Sequence, residues 1–312
     1  MSLTGILPLN KPAGMRSTAC VEAVRRILGG KIKVGHGGTL DSTASGLLIL
    51  LIGPATRLSS YIMDMPKRYE TVFQLGSETT TDDASGEVTK SAEWRSVTDT
   101  LIDAALPAFF GWRKQTPPLI SAVRVNGERA HKLARGGKEL SINAKLINII
   151  KIIRLNSITE DGKVPLKIYC HKGTYIRSLA RDLGRLLGCG AHVYALRRVG
   201  SGPFLAQEAT PIEELLRLKR AELEERIMSV ESLYEVSTRY VLGEEKRKSA
   251  LNGGAQTLYG LQRGNFGRFA DYSGHVVMTM DGIFSVCNFL QRGSSIELRP
   301  QSNIFYDGGN RR

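Results

Sequence analysis

The chain has 312 residues, of which 42% are hydrophobic and 23% charged, a globular composition with room for two domains. No apolar run approaches the roughly 20 residues that span a bilayer, and the opening MSLTGILPLNKPAG has neither a secretory h-region nor the Arg/Ser-rich pattern of a transit peptide. Its four cysteines lie far apart with no Cys-x-x-Cys pair, and its five histidines are scattered. Neither a disulfide framework nor a metal site is expected, and a reducing cytoplasmic setting fits best.

Forty-three basic residues outnumber 30 acidic ones, for a formal charge of +13. The excess is local: between Arg113 and Arg154, ten Lys/Arg accompany only Glu128 and Glu139. Such a segment favours a phosphate-rich partner through counterion release. An anionic membrane fits less well, because no helix pairs basic residues with a broad exposed apolar face.

Gly5–Leu9 reads as a short strand, ended by the turn signal Lys11-Pro12-Ala13-Gly14. Ser17 is placed to cap a helix carrying Val21, Val24, Ile27 and Leu28 on one face. Leu47–Ile52 is a continuous apolar run closed by Gly53-Pro54, which predicts a fully buried strand. Tyr69–Leu75 is a further strand, followed by the acidic loop 79–86, and a helix is expected over Asp99–Leu106. Gln115-Thr116-Pro117-Pro118 cannot lie inside a helix. Lys145–Leu155 predicts one or two strands, Val164–Cys170 another, then a turn at His171-Lys172-Gly173 and a helix over Thr174–Leu187.

In that helix Ile176, Leu179, Ala180, Leu183, Leu186 and Leu187 share one face. Arg177, Arg181 and Arg185 form a stripe; Arg177 lies beside the apolar face and can reach inward, whereas Arg181 and Arg185 read as solvated charge. Ala191–Val199 is strand-like and Gly200-Ser201-Gly202-Pro203 breaks it. Thr210-Pro211-Ile212-Glu213 has the pattern of a capping box opening a charged helix through Arg226. A boundary near Glu235–Leu242 leaves a small Gly-rich, β-rich unit.

There is neither a P-loop nor a Gly-x-Ser-x-Gly elbow. Gly35-His36-Gly37-Gly38 lacks the lysine and amphipathic helix of a phosphate loop. Asp41 closes this Gly-rich loop just before a buried strand, where backbone is held while a side chain faces a cleft. Most loop aspartates cap turns. A carboxylate oriented by a cation and shielded from water can instead act as nucleophile or general base, with Arg177 a candidate cation. His36, an imidazole among glycines, suits stacking on an exposed base.

These residues carry a resemblance. Gly5-Ile6-Leu7-Pro8-Leu9-Asn10-Lys11-Pro12, Gly35-His36-Gly37-Gly38-Thr39-Leu40-Asp41, Lys67-Arg68-Tyr69, Asp83-Ala84-Ser85-Gly86 and Pro117-Pro118 occur in order. Lys172-Gly173-Thr174-Tyr175-Ile176-Arg177-Ser178-Leu179-Ala180 and Leu196-Arg197-Arg198 follow. Over residues 5–204 the chain closely resembles the TruB family of tRNA pseudouridine-55 synthases.

The resemblance implies an α+β fold: a mixed, mainly antiparallel catalytic domain over residues 1–237, then a small β-rich PUA-like RNA-binding domain over 238–312. It implies that Asp41 is catalytic, Tyr69 stacks on the target base and Arg177 pairs with Asp41. His36 would fill the space left by flipped nucleotides, Leu196 would wall the base pocket and Lys11 would support the site rather than do chemistry. With Lys11, the residues Tyr175, Arg124 and Lys132 complete the expected RNA-side set. The implied partner is the tRNA T-stem-loop, bound by a monomer without cofactor, metal or obligatory protein partner. A tRNA-binding and folding factor, or a related synthase acting on another RNA, are alternative readings. Four positions depart from the family pattern: Ser42 replaces a proline, Ile120 and His131 replace tyrosines, and His171 replaces a serine. Ser42 is expected to loosen the loop.

Overall fold

A computed structural model describes residues 3–120, 124–125, 128–129, 143–236, 239–241, 249, 252, 254–259, 275–280, 283–292 and 295–305. In chain order the first strands are β1 (Gly5–Lys11), β2 (Val34–His36), β3 (Ser45–Ile52), β4 (Lys67–Leu75), β5 (Ser77–Thr79) and β6 (Val88–Ser91). Then come β7 (Gly111–Gln115), β8 (Arg124–Val125), β9 (Glu128–Arg129), β10 (Lys145–Arg154), β11 (Lys163–Cys170) and β12 (Ala191–Ser201). The last are β13 (Phe204–Leu205), β14 (Thr210–Pro211), β15 (Arg239–Val241), β16 (Gln256–Tyr259), β17 (His275–Met280), β18 (Ile283–Arg292) and β19 (Ser295–Phe305). The helices are α1 (Ser17–Ile27), α2 (Ser59–Asp64), α3 (Asp99–Ala105), α4 (Ile176–Leu186), α5 (Ile212–Leu215) and α6 (Arg220–Glu225). The mixed, mostly antiparallel strands and helices make an α+β fold.

The chain divides into two compact units, residues 1–66 with 200–312, and residues 67–199. In the first unit β1 runs antiparallel to β3, β14 parallel to β1, and β2 pairs with the end of β3. β3 reads as an unbroken apolar run because both of its faces are buried. Leu47, Ile49 and Leu51 enter one core with Leu58, Tyr61 and Ile62, which also takes Val286 and Ile304. Leu48, Leu50 and Ile52 enter another with Leu7, Leu9, Val24, Ile212 and Leu223. Each such side chain is worth about 1.5–3 kcal/mol relative to exposure, so β3 is a rigid base for the loop that precedes it. The C-terminal strands pair in the order β15-β17-β18-β19-β16.

In the second unit the order is β12-β4-β11-β10-β7. β4, β11, β10 and β7 are successively antiparallel. One core holds Phe73, Ile147, Ile149, Leu166 and Ile168 of the sheet with Ile102 of α3 and Ile176, Leu179 and Leu183 of α4.

Tertiary contacts revise several local expectations. Arg16, not Ser17, is the N-cap of α1, and the Ser17 hydroxyl is used elsewhere. α4 starts at Ile176, because Tyr175 holds an extended backbone as its N-cap, and Leu186 is 57% exposed rather than in the apolar face. Thr210-Pro211 pairs with β1 as strand β14 instead of capping a helix. The expected charged helix is two short ones, and the second starts where Glu222 accepts the Lys219 N–H at 2.6 Å. Among the described residues no helix is long and apolar enough to cross a membrane.

All four cysteines are buried free thiols. Burial pushes Cys170 up to about 12 and Cys287 to about 11, and raises Cys20 and Cys189. A thiol reagent at pH 8 is therefore expected to label none in the native protein and all four after denaturation, as titrated by absorbance. Fast native labelling would contradict this packing.

Candidate active site

Asp41 is half-buried in the loop between β2 and β3. Two glycines before it answer to geometry. A Cβ at Gly37 would run into Ile62 of α2, and Gly38 takes φ +118°, a region that favours glycine. On either side of Asp41 the backbone is locked from the protein side. The Ser17 hydroxyl donates to the Leu40 carbonyl at 2.7 Å and accepts the Leu40 N–H at 3.0 Å. The Ser42 carbonyl accepts the Gly14 N–H at 2.7 Å, and the Asp41 carbonyl accepts the Ala44 N–H at 3.2 Å.

Lys11 secures the same loop. It is fully buried, and its Nζ donates to the carbonyls of Pro12 (2.9 Å), Met15 (2.8 Å) and Ala44 (2.5 Å), with Ser42 at 3.4 Å. Three short contacts match the three N–H donors of an ammonium group. Lys11 is thereby an anchor of the Asp41 loop. His36 ends β2 opposite Leu50 and is half-buried.

In the second unit, Tyr69 on β4 and Leu196 on β12 are partly buried against the same apolar core. The Thr71 hydroxyl, donating to the Ala195 carbonyl at 2.7 Å, ties their strands together. Tyr175 is clamped by Gln115, whose side chain accepts its N–H at 2.9 Å and donates to its carbonyl at 3.1 Å. Arg177 is buried, and its Nη1 donates to the carbonyls of Thr81 (2.9 Å) and Ile120 (3.1 Å). Its Nε lies 3.9 Å from the Asp83 carboxylate. Arg124 belongs to β8, with its side chain outside the described residues, as is the whole of Lys132.

The acidic loop 79–86 is what α4 rests on, a role that loop composition did not reveal. Arg181 is not solvated: it pairs with Asp82 at 2.8 Å, the two side chains 11% and 12% exposed. Arg185 pairs with Glu78 at 2.7 Å, and this hydrogen bond holds Glu78 below the usual carboxylate range. Asp83 accepts from the Thr81 hydroxyl (2.7 Å) and from Ser85 N–H (3.0 Å) and hydroxyl (2.5 Å). Burial pushes Asp83 up, but these hydrogen bonds and Arg177 outweigh it and hold the carboxyl below its ordinary value. Among the described residues no group of three or more His, Cys, Asp or Glu is placed to hold a metal ion.

A family model described as TruB family pseudouridylate synthase (N terminal domain) matches residues 25–176. A second, tRNA pseudouridylate synthase B C-terminal domain, matches residues 177–235. The chain belongs to the TruB family. It is thus an RNA pseudouridine synthase, an isomerase. It is 44% identical over 211 residues to the tRNA pseudouridine synthase B of Prochlorococcus marinus, spanning 68% of this chain and 67% of that one. Its identity to the protein of the same name from Cereibacter sphaeroides is 46% over 221 residues, 71% and 72% of the two chains. In fold it matches a chain of a Cbf5-Nop10-Gar1 complex with TM-score 0.71 at 22% identity, covering 97% of this chain and 85% of that chain. An archaeal box H/ACA sRNP Nop10-Cbf5 complex gives 0.68 at 20% identity, covering 98% and 88%. These are pseudouridine synthase folds.

Against the TruB pattern, the departures acquire physical content. Ser42 does not loosen the loop through its backbone, since its carbonyl is held by Gly14. Ile120 is 42% exposed and serves Arg177 through its carbonyl. His171 stacks on Trp112, ring centroids 6.4 Å apart and planes 14° from parallel. His131 lies outside the described residues.

Two substitutions test the supports. Ser17→Ala strands the Leu40 N–H and carbonyl in a buried site and is expected to cost about 1–3 kcal/mol in urea unfolding, with activity falling too. Unchanged stability would remove the clamp from the account. Asp83→Ala leaves Arg177 beside an emptied carboxylate position and is expected to cost about 2–4 kcal/mol at pH 7. Because the folded Asp83 value is depressed, its contribution is present above the unfolded value of about 4 and fades as pH falls below it. The gap between wild type and variant should therefore narrow in acid; a gap that widens would contradict it.

Proposed function

We propose that this enzyme isomerises the T-loop uridine of tRNA, position 55, to pseudouridine, with Asp41 as the catalytic carboxylate. Relatives at 44–46% identity carry the name tRNA pseudouridine synthase B. The observation that carries the assignment of Asp41 is its loop: a half-exposed carboxylate whose flanking residues 40, 42 and 44 are hydrogen-bonded from the protein side by Ser17, Gly14 and Lys11. A carboxylate held this firmly is preorganised for attack or proton transfer.

The reaction breaks the N1–C1′ bond, turns the uracil and forms a C5–C1′ bond; C5 loses a proton and N1 gains one, so no atom or electron is gained overall. Asp41 assists the cleavage. Tyr69 stacks on the extruded base, Leu196 walls it, and Arg177 is the cation that orients the carboxylate. His36 occupies the space left in the loop, and Tyr175, Arg124 and Lys132 contact RNA. Extrusion costs a few kcal/mol, which stacking and phosphate contacts offset. Residues 1–237 form the catalytic domain, and the five-stranded sheet within 238–312 is a PUA-like RNA-binding module. The enzyme works as a cytoplasmic monomer without an obligatory protein partner. Synthase activity on another RNA draws no support from the solved structures, whose identity of about 20% speaks only to fold.

Mass-spectrometric mapping of a tRNA transcript tests the reading. Wild type should convert the T-loop uridine, whereas Asp41→Ala should lose at least about a thousandfold in rate, with RNA affinity within about threefold. Pseudouridine formed by Asp41→Ala would end the catalytic assignment. Undiminished yield from a transcript with cytidine at the target would end the T-loop assignment.

A further inference from the structure

The sheet of the second unit has an outer face opposite the core against which Tyr69 and Leu196 pack. Ile147 and Ile149 of β10 enter the apolar core, so strand alternation turns Leu146 and Asn148 the other way. The register sets these two opposite Lys114 and Trp112 of the edge strand β7, and opposed residues share a face. Trp112 is 68% exposed, Leu146 64% and Ile150 49%. His171 stacks on the Trp112 ring. Lys151 stands opposite Tyr169 and, like Lys114, is exposed.

Strands β7, β10 and β11 together carry seven Lys or Arg and no Asp or Glu. Arg154 is paired with Asp99 and Asp103, Lys163 with Asp161, Lys167 with Glu70, and Arg113 lies over the Phe109 ring. Lys114 and Lys151 pair with no carboxylate among the described residues. A contiguous exposed apolar patch marks an interaction site. An exposed indole beside uncompensated ammonium groups is complementary to RNA, whose bases stack on aromatic rings and whose phosphates take up cations.

We propose that the outer face of β7 and β10 is a second RNA-binding surface, where an unpaired base stacks on Trp112 and neighbouring phosphates meet Lys114 and Lys151. The proposal rests on tRNA being the substrate. Tyr69 and Leu196 pack on the core side of this same sheet. RNA on the outer face is therefore a different segment from the one that presents the uridine: a part of the tRNA outside the T-stem-loop, reaching round the edge strand β7.

The test measures affinity and turnover of the full chain on a complete tRNA transcript and on an isolated T-stem-loop hairpin. Wild type should prefer the complete transcript. Trp112→Ala should lower affinity for the transcript roughly tenfold, and Lys114→Gln with Lys151→Gln should flatten its salt dependence by about two phosphate contacts. Trp112→Phe should retain the preference, and thermal unfolding checks that each variant folds. Loss of the transcript's advantage over the hairpin supports the surface. An unchanged advantage overturns it, as does an equal loss on both RNAs. If sedimentation shows a dimer that Trp112→Ala dissociates, without effect on RNA, the face belongs to a second copy and the proposal fails. Pseudouridine formation in the hairpin by wild type is read separately, so failure of the substrate assignment is distinguishable from failure of this surface.

Discussion

A buried ammonium group organises the Asp41 side of the first unit. Taking a charge out of water costs several kcal/mol even after relaxation, and it is tolerated only where its hydrogen bonds are met. Lys11 meets them with backbone carbonyls from two segments distant in sequence, Pro12 and Met15 on one side and Ala44 on the other. Those peptides cannot drift without exposing the charge to an apolar interior. The turn after β1 and the loop before β3 are thereby held as one piece, and Asp41 sits on that piece. Ser17 extends the constraint to Leu40, so the carboxylate stands on backbone fixed at both ends while its own side chain stays half-exposed.

What Lys11 grips, β3 supports. A strand buried on both faces cannot shift register by one residue without exchanging its two apolar sets, and here both sets are filled by different partners. The loop therefore starts from an immobile strand, and the close approach of Gly37 to Ile62 limits how its other end enters. Rigidity of this kind suits the role proposed for Asp41, a carboxylate that stays in place while the base moves.

Much of this was legible in the sequence. The apolar run of β3, the glycine-rich loop and most of the face of α4 follow from periodicity and turn chemistry. The catalytic candidates became legible through ordered motifs rather than local patterns, because one loop aspartate looks like another. Side chains that serve distant backbone were not legible. Ser17 reads as a helix cap until the Leu40 peptide is placed beside it. Thr210 reads as a cap until β1 offers it a strand partner. Lys11 reads locally as the start of a turn until four carbonyls surround it.

The arginine stripe of α4 shows the same limit and explains how the charge is distributed. A spacing of three arginines at i, i+4 and i+8 gives their direction, not what they meet. In the second unit they meet Glu78, Asp82 and Asp83, which lie within six residues of one another and dock the helix. Arginine suits such pairing because its planar fork engages a carboxylate at two points and sheds water readily, whereas lysine is a strongly hydrated point charge. Arg154 follows the rule with Asp99 and Asp103. These carboxylates are thus taken up by arginines that hold helices in place, and among the described residues Lys114 and Lys151 pair with none. The excess of +13 is not a uniform coat: Arg154, Arg177 and Arg181 are spent inside the fold, and these lysines give the outer sheet its local positive charge.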